Sequence, residues 1–274
     1  MMTATCPIPL RSEILSSLGI ADCHVIHAPT DRPEIAYHVK VSKTLDQARE
    51  ELVADVQQRL EAKKDDATFR GLVYCRSKDQ VEELAALTGC MPFHADRPIE
   101  ERTASFKHWL EGKQKFMVCS SLLGCGVDVK GVSVVLHFGT PWSILDFVQE
   151  SGRAGRNGKP SVSIVFASHD EREPDDDENL YGKHTMREWV LQHTRCRRTA
   201  LSSFLDGSII TCVLLKGAVL CDVCRAHMND PHPKKLTPFQ TPSIPRSDIP
   251  KPKKLPHVPP TSVTYESKRR ALQR

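Results

Sequence analysis

The run Val132-Ser133-Val134-Val135-Leu136-His137-Phe138, followed by Gln149-Glu150-Ser151-Gly152-Arg153-Ala154-Gly155-Arg156, decides the fold. The first stretch is short, apolar and rich in β-branched residues, the pattern of a parallel strand buried on both faces. Ser143 is an N-cap candidate for a short helix that carries Gln149 toward the arginines. Upstream, Gly124-Cys125-Gly126-Val127-Asp128 forms a glycine-rich loop with a carboxylate. Loop, strand, helix and arginine loop in that order suit a nucleotide machine, because charge developing on a γ-phosphate must be met by rigidly held cations. Arg153 and Arg156 are three residues apart, so a helical turn would aim both the same way.

Working outward, the same alternation repeats. Thr44 to Lys64 carries Leu45, Ala48, Leu52, Val56 and Leu60 at helical spacing. Gly71 to Cys75 reads as a buried strand, Ser77 caps a helix closed by Gly89, and Met91 to His94 is strand-like. Pro98 opens a helix stopped by Gly112, and Lys115 to Ser120 and Ser161 to Ala167 supply two more strands. Strand and helix in alternation predict an α/β fold: a parallel sheet with helices on both faces. Asp170 to Glu178 reads as a solvated acidic loop.

Composition bounds the function. The 274 residues are 39% hydrophobic, and no apolar run approaches a membrane span, so an intracellular protein with no membrane partner is expected. The net charge of +4 hides an asymmetry: from Arg225 onward eleven Lys or Arg face three Asp or Glu, leaving the preceding chain acidic. Nucleic-acid contact in the folded part must therefore come from a local groove. Ten of the 19 prolines lie between Pro231 and Pro260 among lysines, so residues 229–274 read as a disordered basic tail. Such a tail suits nuclear import and non-specific DNA attraction, giving a nuclear location in a eukaryote and a cytoplasmic one otherwise.

Six cysteines are scattered; the other four are Cys196, Cys212, Cys221 and Cys224. A closing Cys-x-x-Cys with two thiols upstream suits a tetrahedral structural Zn²⁺, with His193 and His227 as substitute ligands.

Gln149-Glu150-Ser151-Gly152-Arg153-Ala154-Gly155-Arg156-Asn157-Gly158, with the Gly126 and Asp128 loop, resembles the last motifs of superfamily 2 helicases and most closely the RecQ DNA helicases. Cys196-Arg197-Arg198, Leu205-Asp206-Gly207 and Cys221-Asp222-Val223-Cys224 resemble that family's zinc module. The resemblance implies Arg156, Arg153 and Gln149 as catalytic residues, and Gly126 and Asp128 as nucleotide contacts. It implies Arg76, Ser77, His94 and Ser120 as nucleic-acid contacts, and the four cysteines as metal ligands. Glu34 stands where the family has Asn, Asp96 where it has Gly, and Val129 where it has Lys. Residues 1–30 resemble the end of a first helicase lobe and linker, 31–170 the second lobe, for which the resemblance implies a RecA-like fold, and 185–228 the zinc module.

No Gly-x-x-x-x-Gly-Lys-Ser/Thr and no Asp-Glu-x-His box occurs in the sequence. The expectation is half of an ATP-dependent 3′ to 5′ DNA helicase, inactive alone, engaging ATP and Mg²⁺ only with a complementary first lobe and acting on single-stranded DNA at duplex junctions. A non-catalytic nucleic-acid-binding or interaction protein and a fragment of a DEAD-box-like RNA helicase are the alternatives.

Overall fold

The computed structural model describes residues 6–21, 23–120, 129, 131–171 and 181–229, all within one unit. The Gly126 and Asp128 loop, most of the acidic stretch and the basic tail from residue 230 on lie outside the described residues. Six strands, β1 (Ile35–Ser42), β2 (Arg70–Cys75), β3 (Met91–Phe93), β4 (Phe116–Cys119), β5 (Val132–Phe138) and β6 (Ser161–Ser168), form one parallel sheet in the order β1-β6-β5-β2-β4-β3.

Because side chains alternate across a strand, each strand feeds two cores. Val73, Cys75, Val118, Leu136, Phe138 and Phe166 pack on one face with Leu52 and Val56 of α2 (Leu45–Ala62) and Val81 and Leu84 of α3 (Lys78–Thr88). Leu72, Tyr74, Met117, Cys119, Val135 and Val165 turn to the other face. There they meet Trp109 of α4 (Ile99–Leu110), Phe147 of α5 (Ile144–Ser151) and Trp189 of α6 (Lys183–Leu191). Helices thus cover both faces, as the alternation predicts.

The helix ends follow local chemistry. Thr44, Ser77 and Ser143 each accept a backbone N–H three residues on, and Gln80 completes a capping box with Ser77. Gly89 ends α3 in the left-handed region at φ +68°. An N-terminal helix, α1 (Ile8–Ser17), has Pro7 at its N-cap.

The four-cysteine segment carries α7 (Arg197–Asp206) and α8 (Asp222–Asn229), and its cysteines share a core cluster with Ile35, Tyr37 and Val165 of the sheet. Two fully buried arginines dock it on β1. Arg197 donates to both oxygens of Asp222 at 2.9 Å, and Asp222 Oδ2 in turn accepts the Val39 N–H. Arg198 donates to the carbonyls of Arg32 and Ile35 at 2.8 and 2.6 Å. Buried guanidinium groups need such partners, and backbone carbonyls at a strand entrance supply them.

Candidate nucleotide and nucleic-acid site

α5 starts beyond the carboxyl end of β5 and returns the chain to the sheet's amino edge, where the arginine loop precedes β6. The helix ends at Ser151; the Arg153 and Ala154 amides bond back to Glu150 and Ser151, and the Gly155 amide donates to the Val132 carbonyl. Gly155 has φ +69°, and a Cβ there would stand 2.6 Å from Glu34 Cγ, so only glycine fits without displacement.

The loop is held by a residue the sequence did not single out for it. Arg32 Nη1 donates to the Gly152 carbonyl at 2.8 Å and Nη2 to the Ala154 carbonyl at 2.7 Å. Its Nε donates to Glu34 Oε1 at 2.6 Å, the carboxylate standing where the resemblance predicted Asn. All three faces of the guanidinium fork are used, and Glu34 supplies a charged partner that also packs at Gly155.

The shared aim expected for Arg153 and Arg156 is not what forms. A turn rather than a helix follows Ser151, so Arg153 is buried, at 7% exposure, while Arg156 is exposed, as is Gln149 on α5. Arg153 lies by the buried Tyr74 and Cys119. Burial pushes both of these groups well above their ordinary pKa, and the guanidinium opposes the rise. One arginine is built into the lobe and the other is presented at its surface.

At the sheet's carboxyl edge, Arg76 follows β2, Ser120 follows β4, and residues 139–142 follow β5. Arg76 donates to Glu171 Oε2 at 3.2 Å and stacks 3.9 Å above the Trp142 ring. Glu171 also accepts the Thr140 and Ser168 N–H groups at 2.8 and 2.9 Å, and its side chain is 4% exposed. This corrects the reading of a solvated acidic loop at Glu171 alone, Asp170 being exposed: two strand-end amides and Arg76 need a buried acceptor, and Glu171 supplies it. Ser77 serves as the α3 cap, and Ser120 is half-buried. His94 is buried, with Nε2 2.6 Å from Glu82 Oε1. Arg97 first, then His94, hold the Glu82 carboxyl down at about 2. These contacts tie α3 to the loop that follows β3.

The sulfurs of Cys196, Cys212, Cys221 and Cys224 all lie within 4.8 Å of one another, and all four residues are buried. Cys196 and Cys212 sulfurs are 3.5 Å apart, too far for a disulfide. A tetrahedral ion with 2.3 Å bonds places its sulfurs about 3.8 Å apart, which this spacing suits. Backbone N–H groups of Arg197, Cys212, Cys221 and Cys224 point at sulfurs at 3.3 to 3.5 Å, the arrangement that stabilises thiolate. Hydrogen bonding within the set, from Cys196 first, pushes Cys212 well down and Cys221 to about 6, while Cys196 and Cys224 are pushed up. Four sulfurs this close cannot all ionise without a cation among them, so the donor set could hold a metal. His193 and His227 are outside this group.

Residues 50–158 match the family described as Helicase conserved C-terminal domain. The ATP-dependent DNA helicase hus2/rqh1 of Schizosaccharomyces pombe is 26% identical over 81% of this chain and 17% of its own length. The bifunctional 3′-5′ exonuclease/ATP-dependent helicase WRN of Mus musculus is 26% identical over 83% of this chain and 17% of its own. The ATP-dependent DNA helicase RecQ of Pasteurella multocida is 27% identical over 60% of this chain and 25% of its own. The chain spans 38%, 33% and 17% of the lengths of three curated relatives it matches. Among solved structures, the DEAD-box helicase Mss116 bound to ssRNA and UDP-BeF shares the fold, with TM-score 0.51 and 18% identity over 61% of this chain and 36% of that one. A parallel sheet clad by helices, an arginine loop pinned at its amino edge, a four-cysteine cluster and these sequence matches support reading the chain as a C-terminal helicase lobe similar to those of the RecQ-type helicases of superfamily 2.

Proposed function

We propose that this chain is the second motor lobe of an ATP-dependent 3′ to 5′ DNA helicase, working with a first lobe that supplies the phosphate-binding loop and the Mg²⁺ carboxylates. The observation that carries this is the pinned loop with Arg156 exposed and Arg153 buried beneath it. Arg156 is the finger that meets charge developing on the γ-phosphate of ATP bound between lobes. Arg153 sets the loop's orientation from within, and Gln149 flanks the nucleotide. Gly126 and Asp128 would add contacts from the preceding loop. Arg76, Ser77, His94 and Ser120 would serve the DNA strand at the opposite edge.

Zn²⁺ is the ion that fits four thiolates, held by Cys196, Cys212, Cys221 and Cys224 in a structural role. Residues 1–30 would join the two lobes. The tail from 229 would add electrostatic attraction to DNA and, in a eukaryote, a nuclear import signal.

The test is steady-state ATPase of the 274-residue chain and of the same chain fused to a RecQ first lobe. The chain alone is expected to be silent and the two-lobe protein active. Arg156→Lys should then cut turnover by about 10²-fold or more, because a point charge does not replace the planar fork of an arginine finger. ATP affinity should change much less. Turnover within about twofold of wild type, under 0.5 kcal/mol in the barrier, would make the loop a structural feature and remove the reading.

A further inference from the structure

Trp142 lies between Pro141 and Ser143, the N-cap of α5. It is 55% exposed, whereas the other two tryptophans, Trp109 and Trp189, are 1% exposed. Its ring carries the Arg76 guanidinium 3.9 Å from the centroid. That pair is fixed from below: buried Glu171 bonds Arg76 and also the amide of Thr140, two residues before Trp142. An exposed aromatic held by a buried carboxylate has already lost much of its freedom, which lowers the cost of using it. Its neighbours along the edge are Arg76 and Ser77 after β2 and Ser120 after β4. Strands lie about 4.8 Å apart, so cation, hydroxyls and ring form a row instead of a point.

We propose that Trp142 is a stacking platform for an unpaired base of single-stranded DNA, with Arg76 stiffening the ring and facing the adjacent phosphate. The proposal rests on the reading of the carboxyl edge as the nucleic-acid face. Every base has a π-face, so such a platform grips a strand without choosing its sequence, and an indole is the best aromatic partner for a guanidinium. The arginine loop's backbone lies at the amino edge, which makes the strand, not the base of ATP, the ligand assigned here.

The test uses the complete chain and an unlabelled oligothymidylate of about 20 nucleotides. Trp109 and Trp189 are buried, so long-wavelength tryptophan emission comes from Trp142 and should be quenched as the strand binds. Anisotropy of a fluorescein-labelled copy should show affinity falling about tenfold in Trp142→Ala, the weight of one stacked base. Trp142→Phe should keep most of the affinity while losing the quenched signal. Equal affinity in Trp142→Ala, with or without quenching in wild type, overturns the platform and leaves the nucleic-acid face standing. Quenching by ATP alone overturns the assignment to a strand. A wild-type chain that binds no oligonucleotide overturns both the platform and the nucleic-acid reading of this edge.

Discussion

Replacing Arg32 should loosen the arginine loop while leaving the sheet intact. Its guanidinium makes two charge-assisted bonds to the Gly152 and Ala154 carbonyls and one to Glu34, each of a kind worth about 1.5 to 3 kcal/mol. The side chain is 28% exposed, so water replaces part of what is lost, and Arg32→Ala should cost about 2 to 4 kcal/mol by urea unfolding. Arg32→Lys should cost roughly half that, since one ammonium cannot reach both carbonyls in the fork geometry. A general loss of stability would not be diagnostic, so the deciding assay is amide hydrogen exchange. Residues 152–158, including the Gly155 amide held at the Val132 carbonyl, should exchange faster in the variants. Amides of β2 and β4 should not. In the two-lobe protein the same changes should lower kcat by about 10²-fold with little effect on ATP affinity, the penalty of a misplaced catalytic group. A stability change under about 0.5 kcal/mol with unaltered exchange at 152–158 would refute Arg32 as the anchor.

Metal analysis of reduced, purified chain should find close to one zinc; its absence would remove the proposed ion. Chelation should open α7, α8 and the β1 edge before β2, β4 and β5, because the Val39 and Val219 amides depend on Asp222 and Pro33. Protection lost evenly across the sheet would contradict this order. Glu82 gives a pH signature: its carboxyl is held at about 2, below the ordinary 4.5, so its contribution is present above 4.5 and lost as pH falls through about 2. The pair is largely solvated, so Glu82→Gln should cost on the order of 0.5 kcal/mol at pH 7, with a gap to wild type that closes in acid. A gap that is constant with pH would mean the charge is not involved.

Period and capping made most elements legible. Val132–Phe138 is read to the residue because a buried parallel strand needs an unbroken apolar run, and α2, α3 and α5 start at their Thr or Ser caps. In β1 the signal is blurred: Ile35, Tyr37, Val39 and Val41 alternate, but His38 and Lys40 share the edge strand with them. Strand order was not legible, since nothing local says that β6 enters between β1 and β5. The roles of Arg32 and Glu171 were hidden for a related reason. One serves carbonyls 120 and 122 residues away, and the other serves amides whose need for an acceptor exists only once two strand ends are neighbours. Trp142, read locally, was only a residue between a proline and a helix cap.

The same long-range bonding ties the four-cysteine segment to the arginine loop. Arg198, two residues from the ligand candidate Cys196, holds the Arg32 carbonyl, and the Arg32 side chain holds the arginine loop. Asp222, next to Cys221, fixes both Arg197 and the β1 backbone. Buried ion pairs add little net stability over a well-packed apolar core, but breaking one strands a charge at a cost of about 3 to 5 kcal/mol. Their effect is therefore on geometry more than on stability. With Arg197 and Arg198 fixed on α7, the entrance to β1 has one arrangement, and Arg32 leaves it at one angle. A loosened cysteine cluster would release Arg198 first, and the loop that presents Arg156 would lose its reference point before the sheet lost a strand.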